Sequence, residues 1–172
     1  MLRIQTIARL AAPIAVLGLA LLVSACARNP AGGGDLGGLG GVGSVVTSVT
    51  PGSPQDFVVN VGDRVFFDTD QSGLSAQARA TLDKQALWLN QHPRYTFTIE
   101  GHADERGTRE YNLALGARRA TTVRDYLVSR GIAANRMRTI SYGKERPVAT
   151  CNDPSCWAQN RRAVTVLNGA GA

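Results

Sequence analysis

From Tyr95 to Glu100 the chain alternates: Tyr95, Phe97 and Ile99 fall on one side, Thr96, Thr98 and Glu100 on the other. That period of two predicts a strand over Tyr95–Glu100 with one face buried and the other wet. A polar loop, Gly101–Gly107, follows, and Thr108 is placed to cap a helix running to about Arg130. In that helix Leu113, Gly116, Ala120, Val123 and Leu127 recur at spacings of three and four, an apolar stripe, and Gly131 closes it as a left-handed cap. Upstream, Ser75 caps a second helix reaching Gln91, with Ala78, Leu82, Ala86 and Leu89 as its stripe and His92-Pro93 as its stop. Short apolar runs predict further strands at Asp56–Val61, Arg64–Phe67, Met137–Tyr142 and Arg162–Leu167, the first two separated by a turn at Gly62. Strands alternating with two long helices predict an α/β (α+β) sandwich: a mixed β-sheet with both helices on one face, over residues 55–170.

The first residues follow a different pattern. Arg3 and Arg9 precede an apolar run, Leu10–Val23, interrupted only by Pro13. It is shorter than the roughly 20 residues a spanning helix needs, and small residues follow it, so residues 1–25 read as a secretory signal. Val23-Ser24-Ala25-Cys26 resembles a bacterial lipobox, which implies cleavage before Cys26 and lipid attached to its sulfur. Ala27, where an aspartate would retain the protein in the inner membrane, resembles outer-membrane sorting. An ordinary signal peptide or a retained anchor helix are the alternatives. Residues 26–54 are dense in glycine and read as a flexible tether.

Charge then narrows the partners. The chain of 172 residues carries a formal net charge of +6; removing two arginines and no acids with residues 1–25 leaves +4. Basic residues are not clustered or interleaved with aromatics, which argues against nucleic acid. An acidic cell-wall polymer fits the charge, as does a plain solvated surface.

Candidate chemistry is sparse. No G-x-S-x-G elbow is present, and no glycine-rich phosphate loop follows a strand. His102-x-Asp104 has the spacing of a metal pair without further ligands in prospect, so no metal and no cofactor is expected. Cys151 and Cys156 bracket Asn152-Asp153-Pro154-Ser155; a disulfide is the simplest reading for an exported chain, with free thiols and a metal site as the others. Trp88 and Trp157 read as packing residues rather than sugar platforms, and Glu105, Arg106, Arg118, Arg161 and Arg162 as a charged face or a secondary glycan contact. Tyr111 and Asn112 read as fixing the start of the helix.

The stretch G-H-A-D-E-R-G-T-x-E-Y-N-x-x-L-G-x-R-R-A, with V-F-F-D-T-D, S-Y-G-K-E-R-P and N-R-R-A-V, resembles the OmpA-like peptidoglycan-binding domain over roughly Val65 to Val166. Within that family it is most similar to the lipoproteins of the Tol system. The resemblance implies noncovalent binding of peptidoglycan through the meso-diaminopimelate of the stem peptide, without enzymatic activity. It assigns the ammonium of that residue to Asp104, its carboxylate to Arg119, and contributing contacts to Asp70 and Arg161. A carboxylate and a guanidinium suit that amino-acid terminus. Thr69 stands where relatives often carry an aromatic. It also implies TolB as a partner and an outer-membrane anchor facing the periplasm. A wall-binding lipoprotein outside the Tol system, a motor-stator-like protein and a periplasmic peptidoglycan hydrolase are the rival readings.

Overall fold

The structure is a computed structural model describing residues 49–169. The expected signal, Cys26 and nearly all of the tether therefore lie outside the described residues. The Gly52 carbonyl accepts from the Tyr95 hydroxyl at 2.9 Å, which ties the start of the described segment to the sheet.

Ser53 then caps a single turn, α1 (Pro54–Asp56), its hydroxyl accepting from the Asp56 amide. Proline at the first helical position suits this turn. It runs into a π-helical turn, Phe57–Val61, which Gly62 closes at φ +92°. Here the expected strand over Asp56–Val61 is overturned. The β-branched run suggested extension, yet only Phe57 and Val61, four apart, reach the core, while Val58 and Val59 stay exposed. Helical spacing wins because Phe57 has a slot to fill against Trp88, ring centroids 5.0 Å apart. Tertiary packing overrides local propensity.

The sheet contains β1 (Arg64–Phe66), β2 (Phe97–His102), β3 (Met137–Gly143) and β4 (Arg162–Leu167), in the order β1-β4-β2-β3. β4 is antiparallel to both β1 and β2, and β2 is parallel to β3. Two helices, α2 (Ala76–Gln91) and α3 (Arg109–Ser129), cover the face bearing Val65, Phe97, Ile99 and Ala163. The opposite face leaves Phe66, Ile140 and Val166 exposed, as the alternation implied. A short α4 (Pro154–Asn160) precedes β4. This helix was not foreseen in the turn-rich Asn152–Ser155 segment. The Asp153 carboxylate caps it, accepting from the Ser155 and Cys156 amides.

The expected caps at Ser75 and Thr108 are present, each hydroxyl accepting from the amide three residues on. Gly131 adopts φ +89° after α3. Two registers differ. β2 is shifted two residues along, because Gly101 still pairs with Ala163 and Ser141. The buried stripe of α3 passes through Leu115, leaving Leu113 exposed. Gly101 and Gly116 lie back to back: a Cβ on Gly101 would collide with the Gly116 carbonyl.

Trp88 is a packing residue, stacked on His92 and Tyr95. Its indole donates to Asp56 Oδ2 at 2.9 Å. That bond, with those from the Asn60 amide group and the Gly52 backbone N–H, lowers the Asp56 carboxyl from 3.8 to about 2. A folded-state value below the unfolded one gives stability that is present above about pH 4 and lost as pH falls toward 2. Asp56→Asn should therefore weaken the fold at pH 7 and flatten this part of the pH dependence. Urea unfolding between pH 2 and 7 reads both; an unchanged pH slope would contradict the assignment.

Candidate functional site

Two loops leave the carboxyl ends of β1 and β2 at one end of the sheet, and Arg161 enters β4 beside them. Arg119 of α3 holds them together. Its guanidinium is completely buried, and Nε donates to the Gln71 carbonyl at 2.9 Å, Nη1 to that of His102 at 2.7 Å, and Nη2 to that of Asp68 at 3.1 Å. It also lies over the Phe67 ring, 5.1 Å from the centroid. A guanidinium has five N–H donors. One hydrogen on each of Nη1 and Nη2 therefore remains without a partner among the described residues. Burial and the nearby Arg161 bring its pKa down to about 10, so it stays charged at neutral pH.

Asp70 sits between two of the residues so held. Its φ of +56° makes it the one non-glycine residue with positive φ among the described residues. Aspartate tolerates this left-handed conformation better than most side chains. The turn is also closed by the Gln71 amide donating to the Asp68 carbonyl at 3.2 Å. The fold thus fixes the backbone around Asp70, while its side chain is exposed.

Asp104 occupies the second loop, and the Ala103 amide before it donates to the Gly143 carbonyl at 2.8 Å. Its side chain is only 9% exposed, and it is engaged by two arginines. Arg106 donates from Nε to Oδ1 at 3.1 Å and from Nη2 to Oδ2 at 2.7 Å; its backbone amide adds 3.2 Å to Oδ1. Arg161 reaches Oδ2 at 3.4 Å while its Nε donates to the Phe67 carbonyl at 3.0 Å. Burial alone would raise the Asp104 carboxyl; the bonds and charge of Arg106, with Arg161, outweigh it and hold the group below the usual carboxylate range.

The structure thus brings Asp104 and Arg161 into contact, with Asp70 on the neighbouring loop and Arg119 of α3 bonded to the backbone of both loops. Arg119 does not touch Asp104; it is the pin beneath the rim, which a lone arginine code does not announce. Of the residues around them, Asn112 was expected to fix the helix start and loop shape and Trp157 to pack, while Lys144 carried no expectation. Asn112, buried, donates to the Arg106 carbonyl at 2.7 Å. Lys144 donates to the carbonyls of Glu105 and Gly107. Trp157 donates its indole N–H to Glu105 Oε1 at 2.7 Å and carries the Arg106 guanidinium 4.2 Å above its ring.

His102 belongs elsewhere. Its ring lies 3.7 Å from Glu100 and beside Tyr142, with neither nitrogen hydrogen-bonded. Burial, then Arg162 and Arg146, lower its pKa to about 4, so it is neutral at pH 7. Among the described residues the one grouping of three potential metal ligands is Cys151, Asp153 and Cys156. The two sulfurs are bonded to each other there. From the rim a groove of about 470 Å³ runs along β1, lined in part by Arg64, Phe66, Asp68, Ser75, Gln77 and Arg161. Its size suits an organic ligand larger than one amino-acid side chain.

The OmpA family model matches residues 66–161. The peptidoglycan-associated lipoprotein of Rhizobium meliloti is 64% identical, over 99% of this chain and 94% of the relative. That of Brucella melitensis is 62% identical over 99% of each chain. The crystal structure of the peptidoglycan-associated lipoprotein from Burkholderia pseudomallei superposes with a TM-score of 0.64 at 42% identity, covering 67% of this chain and all of the other.

Proposed function

The chain belongs to the OmpA family, in the branch of the peptidoglycan-associated lipoproteins, and from that membership we propose that it tethers an outer membrane to the cell wall. In this reading lipid on Cys26 anchors the chain from the periplasmic side, the glycine-dense segment before Gly52 spans the gap, and the folded unit grips peptidoglycan without cleaving it. The ligand atoms are the amino-acid terminus of meso-diaminopimelate. Asp104 receives its ammonium. The two N–H groups left on Arg119, together with Arg161, receive its carboxylate, and Asp70 flanks them.

The observation that carries this reading is the paired charge at the rim. A nearly buried carboxylate lies against Arg161, above a buried guanidinium with two hydrogens to spare. A zwitterionic ligand end matches both signs at once, and low exposure strengthens each charge-assisted bond. TolB and the other Tol proteins follow as partners on the likeness to the lipoproteins named above.

Cosedimentation of the full chain, in mild detergent, with purified peptidoglycan sacculi tests the reading. Wild type should pellet, and Asp104→Ala should weaken binding by about 10- to 100-fold, the value of one charge-assisted hydrogen bond. Equal pelleting of the variant would remove Asp104 from the site. Soluble fragments released from the sacculi would identify a hydrolase instead. Recovery of TolB with the protein from solubilised envelopes tests the partner.

A further inference from the structure

A carboxylate offers about four lone-pair positions to donors. At Asp104 all are taken: Oδ1 by the Arg106 amide and Nε, Oδ2 by Arg106 Nη2 and Arg161 Nη1. Yet this is the carboxylate to which the proposed function brings an ammonium. One resident donor has to leave first.

The two arginines are not equally free to go. Arg161 is 13% exposed and tied through Nε to the Phe67 carbonyl. Arg106 is 42% exposed, and among the described residues its one other polar side-chain contact is a 3.5 Å approach to Thr69 Oγ1. Its backbone, by contrast, is pinned. Asn112 holds the Arg106 carbonyl, and Lys144 holds the carbonyls on either side. The side chain can therefore swing while the loop stays in place.

It also has somewhere to go. The Trp157 ring lies 4.2 Å beneath the guanidinium, and Asp70 and Glu105 both act on its charge. Trp157 is itself a fixed platform, bonded to Glu105 and carried on α4, whose start Asp153 caps. A guanidinium keeps its attraction to an indole face while sliding across it.

We propose that Arg106 is an internal stand-in for the ligand's ammonium, a gate that occupies Asp104 in the free protein and swings across Trp157 when the wall binds. This rests on the reading that Asp104 receives that ammonium. Binding then competes with an intramolecular cation, and apparent affinity is reduced by the fraction of time the gate is open. Only a cation able to replace a bidentate guanidinium gains the site. Arg106 thereby filters out ligands whose end carries a carboxylate but no ammonium.

The test is calorimetric titration of the detergent-solubilised full chain with L-Ala-γ-D-Glu-meso-diaminopimelate, for wild type, Arg106→Ala, Arg106→Gln and Asp104→Ala. Removing a half-exposed ion pair should tighten binding of this tripeptide by roughly 2- to 10-fold in both Arg106 variants. Asp104→Ala should weaken binding by about 10- to 100-fold. Weaker or unchanged affinity in both Arg106 variants, with wild type binding, would overturn the gate while leaving Asp104 as the receptor. Absence of binding in wild type and in every variant would overturn the gate together with the function on which it rests.

Discussion

Gly101→Ala is expected to destabilise the folded unit by at least about 3 kcal/mol, a large share of the roughly 5–15 kcal/mol that holds a domain together. The added methyl would drive into the Gly116 carbonyl, a backbone atom on α3, and neither β2 nor α3 can give way alone. β2 is bonded on both edges, to β3 and β4, and α3 is anchored by Val123 and Leu127 in the core. Relief requires lifting the helix off the sheet. Urea unfolding of the variant measures the loss, and a cost below about 1 kcal/mol would show that helix and strand are not packed this closely. Gly116→Ala should be milder, because its methyl would meet the Ser141 hydroxyl, which can rotate, and would stand 2.8 Å from the Gly101 carbonyl oxygen, a far smaller backbone overlap than the reverse one.

Arg119→Ala is expected to lower both stability, by about 3 kcal/mol, and wall binding. Three carbonyls lose a charged donor at once, and part-buried acceptors left unpaired are costly. The turn carrying Asp70 loses the two bonds that bracket it. Arg119→Lys should fare little better, since one ammonium on a flexible stem cannot reproduce a planar fork. Paired urea midpoints and sacculus pelleting check this. A variant as stable as wild type but unable to pellet would make Arg119 a ligand contact with no architectural duty. The expected result carries a warning for mutational mapping: lost binding in an Arg119 variant reports a collapsed rim as readily as a missing contact. Asp104 variants leave the three bonds of Arg119 in place.

Much of the scaffold was legible. The alternation at Tyr95–Glu100 gave a strand, though its register ran on because Gly101, silent in a hydrophobic pattern, still pairs on both sides. Ser75 and Thr108 announced their helices because a side-chain cap is a local event. Asp56–Val61 misled because its β-branched residues favour extension, and only Phe57 meeting Trp88, 31 positions later, decides otherwise. The burial of Arg119 had a signal that went unused. It stands three after Gly116 and four before Val123, inside the stripe that faces the sheet. An apolar template passes over an arginine there. The pairing of Arg161 with Asp104 spans 57 positions and has no local trace. The grip of Arg106 on Asp104 is local but arises in a loop, where no period marks which side chains meet.

One last consequence concerns force. Near the start of the described residues Gly52 is held by Tyr95, just before β2 begins, and the rim lies past His102, where β2 ends. A load pulling between membrane and wall would thus run lengthwise through the inner strand of the sheet. The bonds of the antiparallel pair with β4 lie at right angles to the pull, and those of the parallel pair with β3 are slanted to it. They share the load in shear along both edges of β2 instead of peeling open one at a time. The same sheet with its entry and its rim at one end would unzip.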